Sequence, residues 1–508
     1  MQDAAPAVES DLVTLKHRSL NGAVATAGAQ LVGFGLRFLA QIWLARLIAP
    51  SEYGLIAMVA PILGFIGVIS DMGLGTALVQ QRSVSQSQVS GLFWLNTAIT
   101  AVISLLLVAV APLVGAIYHE PKTVSITITL AALFFIGSLG IYPSALLTRE
   151  MRFVVRASID CAQSAIGLIV GILAARAGYG YWALLDQQAA ATISGLLIIW
   201  CVVRWCPSRP GWDPSVMRLL RFGASLTVSS MSTYLITTAD NMIVGVANGK
   251  VALGLYDKSY RLVVAPLGLI CAPIGRIAIP LLSRLQDHPE RYGSTFRKMI
   301  QLPLFCCVPG LICGMFLAPQ LVDVFLGPKW SAVPPVFSWV CVGGLGAYLY
   351  NSAFWLFSSQ GRGRDQATWS VITSAITVLS FVIGVRWGAV GVASVAGVSF
   401  VLVQTPMILW AACKKGPVSV REVIRAISPI AFAFFITAPL VFLFSKAVHL
   451  GSIAELACGA ALCLSIYMVS VCVWRSGREI VSTGLGIANS YLMKLMTLKR
   501  NARSASIG

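Results

Sequence analysis

The chain has 508 residues, 57% of them hydrophobic and only 11% charged, with a mean hydropathy of +0.81. A soluble domain carries roughly 25% charged residues, and a bilayer crossing takes about 20 apolar ones, so the composition excludes a soluble globular protein and the length is filled by membrane helices with short connections. The formal net charge of +18 is read first as a topology signal and second as an attraction for anionic lipid or substrate, not as nucleic-acid binding.

In chain order, residues 1–19 form a cytoplasmic N-terminal segment in which Lys16, His17 and Arg18 precede an apolar run. That run extends from Leu20 to about Ile48, too long for a signal peptide, and is predicted to remain as the first membrane helix. Apolar runs bounded by charges, Pro, Gly or Asn then predict spans at 20–48, 54–79, 91–117, 124–147, 157–176, 181–204, 222–248, 258–284, 299–321, 333–358, 367–386, 389–412, 427–448 and 453–474. The runs are too long, and too poor in alternation, for lipid-facing strands. The expected fold is therefore all-α and polytopic, with about fourteen transmembrane helices. Placing both termini in the cytoplasm puts Lys and Arg on that side by about three to one, and losing or adding a helix before the C-terminal pair spoils that bias.

Two turns read as an internal repeat. Ala-Pro-Ser-Glu-Tyr-Gly-Leu (49–55) and Asn-Gly-Lys-Val-Ala-Leu-Gly-Leu (248–255) each join two long spans and are each followed by Val-Ala-Pro (59–61 and 264–266). The repeat predicts an N-terminal six-helix bundle over 20–204, a cytoplasmic linker over 205–221 and a C-terminal six-helix bundle over 222–412, both bundles entering the membrane in the same direction. Helices 13 and 14 fill 413–474. The tail at 475–508 reads either as a basic amphipathic cytoplasmic segment on the inner leaflet or as a partly disordered end.

Catalytic signatures are missing. The Gly249-Lys250 pair is followed by Val251, so there is no Walker motif, and His17, His119, His288 and His449 fall in loops or at membrane edges without a catalytic partner. Most of the 12 Cys sit in apolar runs without metal-ligand spacing and read as packing residues. The expectation is no enzyme, no cofactor and no metal.

What remains are ionisable residues at membrane depth, which are costly there and usually face protein or water. Arg37 shares one helix face with Gln30 and Gln41 at spacings of seven and four. This stripe reads either as a cation for an anionic headgroup or as a snorkelling or paired Arg. Arg276 lies between Pro273 and Pro280, two residues that loosen a helix, and is a second candidate. Arg46 and Arg261 lie near the outer mouth as substrate contacts or interfacial anchors. Asp240, beside Asn241 and after Thr237 and Thr238, is a candidate for ion coupling or a structural salt bridge. Asp71, in Asp-Met-Gly-Leu-Gly (71–75), reads as a hinge or as a second coupling carboxylate. Asp160 and Asp186 lie outside the presumed pathway helices and read as structural.

The segments Leu-Ile-Ala-Pro-Ser-Glu-Tyr-Gly-Leu (47–55), Asp-Met-Gly-Leu-Gly (71–75), Ala-Asp-Asn-Met-Ile-Val-Gly (239–245), Leu-Gly-Leu-Tyr (253–256) and Phe-Leu-Gly-Pro-Lys-Trp (325–330) resemble the bacterial polysaccharide transporter family, of the colanic-acid and succinoglycan exporter type. The parent superfamily includes multidrug extruders and the lipid II flippase. The resemblance implies two six-helix bundles with two extra helices in the bacterial inner membrane. It implies translocation of undecaprenyl-pyrophosphate-linked oligosaccharide repeat units to the periplasmic leaflet by alternating access, driven by a proton or sodium gradient. A polysaccharide polymerase and chain-length machinery are the implied protein partners, and membrane lipids and the lipid-linked oligosaccharide the other ones. The family's cation-lined cavities favour Arg37 and Arg276. Val244-Gly245-Val246 departs from family members that carry a basic residue after the glycine. An exporter of small amphiphiles of the multidrug-extrusion type is the competing reading, and such a protein would want carboxylates in its cleft.

Overall fold

The computed structural model describes residues 28, 32–71, 85–209, 214–448, 451–484 and 486, and every regular element among them is helical. In chain order these are α1 (32–47), α2 (Pro50–Asp71), α3 (Gln86–Ile117), α4 (Lys122–Ser138), α5 (Ile141–Arg149), α6 (Phe153–Arg176), α7 (Trp182–Val203), α8 (Pro214–Arg284), α9 (Pro289–Phe316), α10 (Ala318–Phe325), α11 (Pro334–Ser359), α12 (Gly363–Gly384), α13 (Gly388–Ser399), α14 (Thr405–Lys414), α15 (Val420–Ala447), α16 (Ser452–Val473) and α17 (475–484). Eleven stretches among the described residues are long and apolar enough to cross a membrane. Two of these, of 47 and 52 residues, exceed twice the roughly 20 residues of one crossing. Each is broken where a glycine takes a left-handed φ, at Gly249 (78°) in α8 and at Gly388 (70°), the first residue of α13. Fourteen crossings are compatible with this set. The chain is an all-α, multi-pass membrane protein.

Local chemistry sets the helix ends. Ser85 opens α3 with a capping box, its hydroxyl accepting from the Gln88 amide at 3.2 Å while the Gln88 side chain accepts from the Ser85 amide at 3.1 Å. Ser419 and Glu422 repeat the device at α15. Such caps satisfy amides that a helix start leaves without partners. Pro50, Pro289 and Pro334 begin their helices, where the missing N–H costs nothing.

Three elements depart from the spans read in the sequence. The span at 124–147 is two helices, α4 and α5, parted at Leu139 and Gly140. α9 begins ten residues before its apolar core because Pro289, Glu290 and Arg291 start a polar first turn that hydropathy cannot register. The span at 389–412 contains a π-helical stretch, Phe400–Gln404, between α13 and α14. Inside it Gln404 is buried, accepts from the Thr377 hydroxyl at 2.9 Å and donates to the Ser399 hydroxyl at 3.3 Å.

The chain divides into two compact units, Met1–Gly254 and Leu255–Gly508. In the first, α3 packs on α4 and α6 on α7 as hairpins, and α4 also meets α2 and α7. In the second, a continuous core joins Tyr292, Phe296 and Ile300 of α9, Phe357 of α11, Ile408 of α14 and Tyr467 of α16. The start of the C-terminal tail belongs to this core: α17 is helical and its Ile480 is buried there.

Candidate translocation site

α1 presents two faces. At about 100° per residue, Arg37 falls among Gly33, Ala40, Leu44 and Ile48, all buried, and lies roughly 140° from the exposed Val32, Leu39 and Trp43. It therefore belongs to the packed face, and yet it is exposed. An exposed side chain on a packed stripe marks a gap in the packing at its level. Both terminal nitrogens of Arg37 lie over Gly33, 3.8 Å from where a β-carbon would stand, and Cys161 Sγ of α6 closes the same spot at 3.5 Å. Glycine at 33 is what lets the guanidinium fold back along its own helix beside α6. Arg37 makes no hydrogen bond or ion pair with a described residue. It lies ten residues, about 15 Å, before the end of α1. Gln41 is half-buried on the same side; Gln30 lies outside the described residues.

Asp240, on α8, is 5% exposed and its Oδ1 accepts from the Asn241 amide at 2.8 Å. Asn241 Oδ1 is buried with no hydrogen-bond partner among the described residues. Thr238 donates to the Tyr234 carbonyl at 2.6 Å and so belongs to the helix rather than to Asp240. No ion pair joins Arg37 to Asp240, although both lie in the first unit. The Asp71 side chain lies outside the described residues; its backbone closes α2.

In the second unit, Arg276 is exposed and, by helical spacing, stands roughly 160° from Ala278, which faces the core. It points away from its own unit's packing, between exposed Ile277 and Ile279. Arg261 donates through Nε to Asp257 Oδ2 at 2.7 Å. Arg46 is exposed on the outward face of α1. Each candidate thus has its own setting within its unit: Arg37 in a packing gap, Asp240 buried, Arg276 outward, Arg261 paired.

Into this arrangement the comparisons bring a family. The family described as "Polysaccharide biosynthesis protein" matches residues 43–335, more than half of the chain. The chain belongs to that family. It is 26% identical over 403 residues to the lipopolysaccharide biosynthesis protein WzxC of Escherichia coli, covering 77% of this chain and 80% of that protein. It is 24% identical over 303 residues to the succinoglycan biosynthesis transport protein ExoT of Rhizobium meliloti, covering 60% and 61%. The fold is shared with the lipid II flippase MurJ in an inward closed conformation, at a TM-score of 0.68 and 13% identity over 91% of this chain and all of that one. It is also shared with an inward-facing multidrug-resistance MATE transporter, at a TM-score of 0.56 and 13% identity over 79% and 95%. The named relatives are polysaccharide biosynthesis and transport proteins, and the resemblance read from the motifs is to this same group.

Sequence reasoning passed over several charged residues that the structure makes prominent. Lys258 is 2% exposed, with its Nζ 5.8 Å from the ring centroid of the fully buried Trp330. It stands in Asp257-Lys258-Ser259, all three buried, and the signal available in the sequence was this charged pair followed closely by an apolar run. Lys250 pairs with Glu120 just beyond α3. Beside that pair Tyr118 packs on Gly245, and burial raises its hydroxyl above the usual tyrosine value.

Proposed function

We propose that the protein is a bacterial inner-membrane flippase for undecaprenyl-pyrophosphate-linked oligosaccharide repeat units, serving exopolysaccharide or lipopolysaccharide synthesis by ion-coupled alternating access. Both termini are cytoplasmic in this reading, and the chain is built of two six-helix bundles in parallel repeat. The observation that carries it is Arg37: an exposed guanidinium on the packed face of α1, with no ion-pair partner among the described residues. A lipid-linked sugar brings a pyrophosphate to membrane depth, and a guanidinium offers it paired donors where an ammonium offers a point charge. An unpartnered cation is costly at that depth unless water or an anion meets it. Asp240 with the unsatisfied Asn241 Oδ1 supplies oxygen acceptors for a proton or sodium ion. Arg276 is the second substrate cation, and Gln41, Arg46 and Arg261 line its path.

Arg37→Ala is expected to insert at near-normal abundance while abolishing export of polymer, with Arg37→Lys restoring only part of it. Abundance is read by immunoblot of membranes and export by surface polysaccharide. Loss of abundance in Arg37→Ala overturns the reading, because Arg37 would then serve folding. An exporter of small amphiphiles would instead keep polymer export intact and lose resistance to cationic compounds.

A further inference from the structure

Apart from these residues, the first unit holds a cavity of about 400 Å³ between α6, the α4–α5 junction and α7. One side is a polar ladder on α6: Arg156 Nε donates to Asp160 Oδ1 at 3.4 Å, and Gln163 Nε2 donates to the same oxygen at 3.2 Å. Both contacts use the same carboxylate oxygen, and the first uses a single guanidinium nitrogen. Asp160 Oδ2, the two terminal nitrogens of Arg156 and the hydroxyls of Ser144 and Thr192 have no hydrogen-bond partner among the described residues. The Arg156 and Asp160 side chains are 39% and 37% exposed, so the cavity is open and their long mutual contact is weak. Gly195 of α7 makes room for the Gln163 side chain, with which a β-carbon there would collide.

The position of the cavity narrows its occupant. Arg156 is in the first turn of α6 and Ile199 in the last of α7, so the lining lies within about 15 Å of one end of both helices. The same end carries an aromatic cluster in which Phe93 packs edge-on to Tyr142, Trp200 and Trp205. Trp94 and Trp205 donate to the Ser208 carbonyl and the Gln86 side chain, both at 2.9 Å. Indoles with an apolar body and a wet tip gather at the headgroup level of a bilayer. A pocket at that depth is reached by lipid headgroups, and this one offers one cation and one anion a helical turn apart, with no net charge.

We propose that this cavity binds the headgroup of a zwitterionic phospholipid with a primary ammonium, the phosphoethanolamine type. The phosphate replaces Asp160 as partner of the Arg156 guanidinium, which turns its paired donors to the phosphate oxygens. The ammonium donates to Asp160 and to Gln163 Oε1. A choline headgroup has the same charges but no N–H to give, and a glycerol headgroup leaves Asp160 facing an anion.

The test is native mass spectrometry of the full-length protein in detergent, equilibrated with equal amounts of phosphatidylethanolamine, phosphatidylglycerol and phosphatidylcholine. The protein is expected to retain phosphatidylethanolamine at least ~10-fold over each of the others, equivalent to about 1.4 kcal/mol. Arg156→Gln should abolish the selective retention, and Asp160→Asn should erase the distinction between ethanolamine and choline. Thr192→Leu, which fills the cavity and leaves every charge in place, should also remove the retained lipid. Thermal unfolding in lipid-free detergent identifies any variant that fails to fold, and Thr192→Leu then decides. Equal retention of the three lipids, preference for phosphatidylglycerol, or unchanged selectivity in Asp160→Asn or Thr192→Leu overturns the proposal.

Discussion

Single charged residues in this chain are distinguished by what surrounds them more than by depth. Arg37 and Arg276 look alike in the sequence, each a lone Arg in a long apolar run, but one sits in a gap on a packed face and the other on a face turned away from its unit. Lys258 is the opposite case, a cation that the fold encloses. Its stem is buried between Asp257 and Ser259, and its ammonium meets the face of Trp330, the aromatic best suited to a cation. Removing that ring leaves a cavity and takes away the cation's aromatic contact at once. Trp330→Ala is therefore expected to destabilise the protein by about 3–5 kcal/mol, whereas Trp330→Phe, which keeps a π face, should cost about half as much or less. Lys258→Met, similar in volume and uncharged, should be tolerated better than Trp330→Ala. Thermal unfolding of the purified variants in detergent measures all three, and the ring's role fails if Trp330→Ala is as stable as Trp330→Phe.

Between elements, close approach of backbones is the recurring device. The two turns matched as a repeat pack on each other within the first unit. A β-carbon at Gly54 would strike the Lys250 carbonyl, and one at Gly254 would strike the Pro50 carbonyl. The relation is reciprocal, since Pro50 and Lys250 each stand four residues before the glycine of their own turn. In membranes, where lipid is as apolar as side chains, such small-residue crossings supply the packing that holds helices together. Gly54→Ala and Gly254→Ala are each expected to cost about 1–3 kcal/mol, because the obstructing atoms are backbone and cannot swing aside. Gly249→Ala should cost about 1 kcal/mol for a different reason, its left-handed φ of 78°. Unfolding temperatures of the three variants, compared with Gly35→Ala, where a β-carbon meets open space, read these costs. Equal stability of Gly54→Ala and Gly35→Ala would show that the crossing is loose.

Across the whole molecule, the bias of Lys and Arg predicts the orientation. With both termini inside, reporter fusions at Ser87 and Ser208 are expected to report cytoplasm, and fusions at His119 and Ser331 periplasm. His119 lies in the turn between α3 and α4, Ser208 in the segment after α7, and Ser331 between α10 and α11. An inverted signal at any one of these breaks the alternation. The aromatic cluster of Phe93, Trp200 and Trp205 lies at the same end as Ser87 and Ser208, consistent with a single interface on that side.

The class of fold was legible in composition and run length because lipid imposes one solution: a backbone that cannot reach water must close its hydrogen bonds within each helix. For the same reason the breaks at Gly249 and Gly388 were legible, each falling in a short polar interruption between apolar runs. The π-helical stretch was not, since hydropathy is blind to whether a carbonyl is met four or five residues on. Nor was the early start of α9, where polar residues continue a helix that apolar counting begins later. At the site, periodicity placed Arg37 and Gln41 on one face of α1 but could not say that the face was packed or that a gap opened in it. That is decided by which helix lies opposite, here α6 with Cys161 against Gly33. Asp160 read as structural when only its own helix was in view; the residues of α4, α5 and α7 that face it are what make it a cavity wall. Sequence sets which residues are costly in a membrane, and tertiary structure decides which of them are enclosed, paired or left open to a ligand, because those fates depend on neighbours from other helices.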